Sequence, residues 1–167
     1  MDIEVYPPDR LRWQARDYRC VLGKGGVRAD KREGDGATPI GHWPIRSVLY
    51  RADRLTMPKL AWPCQSISRN DGWCDDQSHP NYNRRVEKPF GASHEDLWRD
   101  DHVYDLIVVL GHNDAPPEPG RGSAIFMHVA KPDFSPTEGC VALALDDLLG
   151  ILAQAPAETA VLIHPLA

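Results

Sequence analysis

Residues Ser123 to Leu143 read SAIFMHVAKPDFSPTEGCVAL. Ser123 to Ala130 has the apolar content of a buried strand, and Val141 to Leu145 is a second, shorter apolar piece. Pro132 and Pro136 mark a loop between them. Alternation along the first strand puts Ala124, Phe126 and His128 on one face and Ile125, Met127 and Val129 on the other. The chain then turns and comes back, so Cys140, twelve residues after His128, is expected beside it.

That pair is a candidate nucleophile and base. A free thiol is only slightly ionised at neutral pH. A neighbouring imidazole can take its proton and hold the thiolate as an ion pair, so a rate that rises with ionisation of the pair is expected. Gly139 fits the same chemistry. A glycine before the nucleophile clears space for an oxyanion, and the backbone N–H groups of Cys140 and Gly139 are the expected donors. The base needs an orienting partner, for which a backbone carbonyl, Asp133, Asp114 and Glu138 are all open. Against this stands the ordinary fate of such residues, because a lone cysteine is usually a small core side chain.

Outward from this stretch, the chain reads as β-rich. Fifteen prolines in 167 residues is nearly twice the usual share of about 5%, and with thirteen glycines it implies many turns. A single domain spanning 1–167 is expected from the length. Residues 2–22 alternate in short runs cut by Pro7-Pro8-Asp9, the pattern of hairpins. Gly34-Asp35-Gly36 marks a tight turn, and His42 to Tyr50 resumes as a strand. The glycine-rich segment 23–41 lacks the spacing of a phosphate-binding loop. Residues 51–103 are irregular but aromatic, which points to an ordered insertion able to wall a cleft. Within it, Ser93 to Trp98 reads as a short helix with Ser93 as N-cap and Asp96 at the third position. Tyr104 to Leu110 is the clearest buried strand. Asp146 to Gln154 reads as a helix stopped by Pro156, and Ala160 to His164 as a closing strand.

The net charge of −5 and dispersed basic residues give no nucleic-acid footprint. No apolar stretch is long enough to span a membrane, and residues 1–20 contain no signal-peptide core. Cys20, Cys64, Cys74 and Cys140 form no CxxC. Cys64 and Cys74 could meet across a loop as a disulfide or as two metal ligands, or remain free thiols. Cys64, Cys74, His79 and His94 could be assembled into a zinc site, but their spacing is irregular. No metal and no cofactor are expected.

The run HVAKPDFSPTEGCVAL (128–143) resembles the catalytic motif of the L,D-transpeptidases, the YkuD-type domain: a His, a spacer, then Ser/Thr-His-Gly-Cys. His128, Thr137, Gly139 and Cys140 match. EGDGATPIGHWPI (33–45) resembles the family's Thr-Pro-x-Gly segment at Thr38, Pro39 and Gly41. GWCDDQSHPNYNR (72–84), YDLIVVLGHN (104–113) and GRGSAIFMH (120–128) are similar to a short, single-domain branch. Two positions depart from the pattern: Glu138 replaces the motif's second His, and Ala142 replaces an Arg. The His-to-Cys spacing is also shorter.

The resemblance implies a mainly β, sandwich-like fold with one or two short helices. It implies a cysteine-dependent L,D-transpeptidase. Cys140 would attack the amide between an L-centre and a D-residue of a peptidoglycan stem peptide, typically meso-diaminopimelate to D-alanine. His128 would manage the proton, and an amine would resolve the thioester. Trp73, Asp76, Tyr82, Asn83, Arg84 and His112 are the expected substrate-binding residues, and Glu138 is expected to point away or to meet a cationic group of the substrate. A monomer is expected, periplasmic or at the cell envelope by resemblance, although the lack of a signal peptide leaves a cytoplasmic location open. The alternatives are an L,D-carboxypeptidase or hydrolase using water on the same thioester, and a non-enzymatic cell-wall-binding domain.

Overall fold

The computed structural model describes residues 1–167. Fourteen strands and one helix follow in chain order. They are β1 (Ile3–Tyr6), β2 (Arg10–Trp13), β3 (Arg16–Val21), β4 (Val27–Arg28), β5 (Thr38–Pro39), β6 (Gly41–Tyr50) and β7 (Cys64–Ser66). Then come β8 (Asp71–Cys74), β9 (Arg85–Glu87), β10 (His94–Asp96), β11 (Leu106–Leu110), β12 (Phe126–Val129), β13 (Val141–Leu143), α1 (Leu145–Gln154) and β14 (Ala160–Ile163).

The main sheet runs β11-β12-β13-β3-β2-β1-β14-β6-β7, and β6 also pairs with β11. That extra pairing closes the sheet on itself, so the architecture is barrel-like and not the expected sandwich. The closure depends on the length of β6. Its first residues pair with β14, from Gly41↔Ile163 to Pro44↔Ala160. Its later residues, Ile45 to Tyr50, pair with β11. One long strand thus joins two edges that a shorter one would leave exposed.

The barrel is filled by one face of each strand: Ile3, Val5, Leu11, Trp13, Val48, Leu106, Val108, Met127, Val141, Leu143 and Val161 are all buried together. The helix adds Leu148, Ile151 and Leu152 to the same core. It begins with Asp146 and Asp147 in its first turn, which suits the helix dipole.

The 51–103 insertion is ordered, and carries a separate three-stranded sheet in the order β10-β8-β9. The helix expected at Ser93–Trp98 is instead strand β10, paired to β8 through His94↔Cys74 and Asp96↔Gly72. Six residues are too few to hold a helix without packing support, and here the packing favours a strand. Leu97 is fully buried, Ser93 Oγ donates to Asp75 (2.6 Å), and the Lys88 ammonium takes the Asp96 carboxylate (2.8 Å) that would have served a cap. A second core lies between this sheet and the outer face of the barrel. It contains Leu49, Trp73, Leu97, Val103, Tyr104, Ile107, Phe126 and Cys140.

Candidate active site

The register of β12 and β13 sets the site. These strands run parallel, with Met127↔Val141 and His128↔Ala142 in register. Cys140 immediately precedes β13, so it falls on the same face as His128, diagonally across the ladder. The alternation read from sequence holds. Met127 and Val129 enter the barrel core, and Phe126 packs with Cys140 in the second core. Cys140 and His128 both line one cavity of about 410 Å³.

The turn into Cys140 is built by Thr137. Its hydroxyl donates to the Cys140 carbonyl (2.7 Å) and accepts from the Gly139 N–H (3.1 Å). Gly139 has φ +138°, and a Cβ there would sit 2.8 Å from the Ala37 carbonyl oxygen. Only glycine satisfies both conditions. The neighbouring segment is the one read as Thr-Pro-x-Gly. Thr38 is buried, its Oγ1 accepts from the Gly23 N–H (2.9 Å), and the Lys24 N–H bonds the Thr137 carbonyl (2.8 Å). The two motifs therefore meet under the nucleophile turn. The Gly139 N–H is already engaged by Thr137, so of the two expected oxyanion donors only the Cys140 N–H remains free within the protein.

The thiol is buried and hydrogen-bonded to backbone. Cys140 Sγ donates to the Ala124 carbonyl (3.2 Å) and accepts from the Phe126 N–H (3.4 Å). Burial pushes the thiol up to about 12, and the negative charge of Glu95 adds to this. His128 Nδ1 donates to the Val129 carbonyl (3.0 Å), which leaves Nε2 as the ring's acceptor. Burial pulls the imidazole down to about 4. Both shifts favour a neutral thiol and a neutral imidazole over an ion pair. The cause is desolvation, which penalises both charges.

Of the four expected partners for the base, the backbone carbonyl is the one used. Asp133 accepts from the Ser135 N–H, Asp114 pairs with Arg46, and Glu138 points outward to Lys24 (2.8 Å). The His128 ring also lies edge-on to Tyr104, with centroids 5.2 Å apart. Tyr104 donates in turn to Glu95 of β10. Burial raises the Glu95 carboxyl above its ordinary value, although Tyr104 and Arg99 pull the other way. The cavity is completed by Lys31, Glu33, Asp75 and Arg99, among others. Glu33 accepts from Ser123 Oγ (2.5 Å). Nothing in the sequence marked Tyr104, Glu95, Lys31 and Glu33 as cavity residues, because they come from separate segments that only the fold brings together.

The six residues expected to bind substrate do not line this cavity. Asn83 is buried with all its polar capacity used. Oδ1 accepts from Trp73 Nε1 (2.9 Å) and the Ala124 N–H (3.0 Å), and Nδ2 donates to the carbonyls of His112 (3.0 Å) and Asn113 (2.8 Å). Trp73 packs edge-on against Phe126. Tyr82 is buried, accepts from the Gly122 N–H (3.0 Å), and is pushed up to about 12 by burial. His112 lies edge-on to Trp43 and is pulled down to about 4 by burial. Asp76 caps its own turn through Ser78. Arg84 lines a separate cavity of about 440 Å³ with Trp73 and Asn83. Trp73, Tyr82 and Asn83 brace the chain behind the site. The zinc grouping is not assembled either: Cys64 and Cys74 are free thiols in different sheets, and His79 and His94 each pack edge-on to Phe90.

Comparison with curated proteins and with solved structures found no match. A protein-family model, YkuD, the L,D-transpeptidase catalytic domain, matches residues 2–163. The match runs from β1 to the end of β14 and takes in the whole barrel as well as the His128–Cys140 ladder, so the chain belongs to the YkuD family of L,D-transpeptidase catalytic domains.

Proposed function

We propose that the protein is a cysteine acyltransferase of the L,D-transpeptidase type, acting on peptidoglycan stem peptides. The observation that carries this reading is the placement of Cys140 and His128 on one face of a parallel ladder, in one cavity, within a chain of this family.

In the proposed cycle, Cys140 Sγ attacks the carbonyl carbon of the amide between an L-centre and a D-residue. The S–H proton passes to His128 Nε2, and the Cys140 N–H holds the developing oxyanion. The C–N bond breaks, and the departing D-amino acid takes the proton from His128. An acceptor amine then attacks the thioester. It forms the new amide, expels the sulfur and returns a proton to it through His128. The neutral resting pair suits this order, since charge develops only once the substrate is bound. The Sγ contact with Ala124 must be exchanged for one with His128 at that point, and catalytic hydrogen bonds commonly tighten only in the substrate complex. The substrate belongs to the cell envelope, which the proposal makes the site of action. No helix is long and apolar enough to cross a membrane.

The test is turnover of a tetrapeptide stem with and without an added amine. The expected result is release of a D-amino acid, formation of an amide product with the amine, and loss of both in Cys140→Ala. Release of a free acid alone would assign water as the acceptor, a hydrolase. Full turnover by Cys140→Ala would remove the nucleophile from the proposal, and no turnover by the native chain would favour a binding module.

A further inference from the structure

We propose that Asn83 is a positioning residue for Cys140: through the backbone of Ala124 it aims a carbonyl at the thiol and so decides where the S–H proton rests. The inference rests on the reading of Cys140 as nucleophile.

Three observations carry it. Ala124 has φ +55°, a left-handed conformation that an alanine adopts only when its surroundings impose it. What imposes it is Asn83, whose Oδ1 accepts the Ala124 N–H (3.0 Å). On the other side of the same residue, the Ala124 carbonyl accepts the Cys140 S–H (3.2 Å). Asn83, itself at φ +56°, has its side chain fixed by three further hydrogen bonds, from Trp73 Nε1 and to the carbonyls of His112 and Asn113. It is buried, with no capacity left for a ligand. Its function is therefore exerted through Ala124.

The electronic consequence follows from donor and acceptor chemistry. A carbonyl oxygen can accept from a thiol but only repels a thiolate. The Phe126 N–H at 3.4 Å favours the thiolate instead. Sulfur between these two groups is a parked nucleophile, stable until it turns toward His128. A substrate that bonds or displaces the Ala124 carbonyl would release it.

The test reads the thiol directly and needs no turnover. Alkylation of Cys140 by iodoacetamide is followed by mass spectrometry of its peptide across a range of pH, which separates it from Cys20, Cys64 and Cys74. The other charged or titratable groups facing the thiol are Glu95 from β10, Tyr104, His128 from β12, Lys31, and, around the same cavity, Glu33, Asp75, Arg99, Lys131 and Glu138. All are left in place. Asn83→Ala should shift the alkylation profile to lower pH and raise the rate at pH 8 roughly two- to tenfold, the worth of one neutral hydrogen bond. Ala124→Val should do the same with the Asn83 side chain and its bonds to Trp73, His112 and Asn113 left in place, because a β-branched residue resists the left-handed conformation and Ala124 borders the cavity. Ala124→Gly, which keeps that conformation without strain, should retain the native profile. An unchanged profile in folded Asn83→Ala, or in Ala124→Val if the first variant does not fold, would overturn the proposal. A shifted profile in a protein that turns over no stem peptide would support it while refuting the acyltransferase reading.

Discussion

The α-carbon of Gly139 stands against the carbonyl of Ala37, so close that a Cβ on Gly139 would lie 2.8 Å from its oxygen. This contact links the nucleophile turn to the Thr38-Pro39 segment, which lies far away in sequence. Gly139→Ala should therefore lose stability as well as turnover. A left-handed alanine that also meets a backbone oxygen costs about 2–4 kcal/mol. Thermal melting checks this, and a melting temperature equal to the native one would show that the segment yields freely.

The pH dependence of kcat/KM should be broad. Protonated His128 cannot take the thiol proton, and burial has moved that protonation down to about 4. The thiol loses its own proton only near 12. In place of the rise with ionisation of the pair expected from sequence, the rate should stay level between about pH 6 and 9 and fall on the acid side, with apparent constants that belong to the pair. An acid limb centred at or above the ordinary imidazole value of about 6.5 would contradict a desolvated base.

Glu95 and Cys140 oppose one another. The carboxylate charge raises the thiol, so Glu95→Gln should lower it and speed alkylation at pH 8. The amide oxygen still accepts from Tyr104, so His128 keeps its neighbour and its acid limb should not move. If Glu95→Gln left the alkylation profile where it was, the carboxyl would be protonated in the resting protein.

Acid should loosen the small sheet before the barrel. Burial pushes the Asp71 carboxyl up, but Arg85 (2.8 Å) and the Ser68 N–H outweigh it, and the net direction is down. A carboxyl lower in the folded than in the unfolded chain contributes stability above its unfolded value. That contribution is lost as pH falls through the folded value. Melting temperature should therefore drop below about pH 4, and Arg85→Met should cost about 1–3 kcal/mol at pH 7 by leaving Asp71 unpaired. Hydrogen exchange of residues 71–96 reports whether this sheet opens first.

The residues that sequence exposed were those governed by period and local chemistry. Alternation placed His128 correctly because the two faces of β12 meet two different cores. The α1 helix was legible because its apolar stripe and its stop at Pro156 are local. The Ser93–Trp98 segment was not, since a local capping signal lost to cross-strand pairing and burial of Leu97. Nor was the closure of the barrel, which depends on β6 reaching both β14 and β11. Trp73, Tyr82 and Asn83 were polar or aromatic residues in a loop, and nothing in their spacing separates a substrate grip from a buried brace. Tyr104 stood at the foot of the clearest strand, but its partner Glu95 comes from another sheet.

The seam between barrel and small sheet divides the labour of the pocket. His128 and Ala142 stand on strands whose opposite faces fill the barrel, and Cys140 directly precedes one of them, so they cannot shift without disturbing its interior. Glu95 comes from the separate sheet and Asp75 and Ser93 flank its strands, and that sheet puts no residue into the barrel interior. One wall is thus anchored in the barrel, and the other in a separate sheet that meets it through the second core. Exchanging residues 71–96 would therefore change that wall, and with Asn83 and Glu95 it would also change the setting of the thiol.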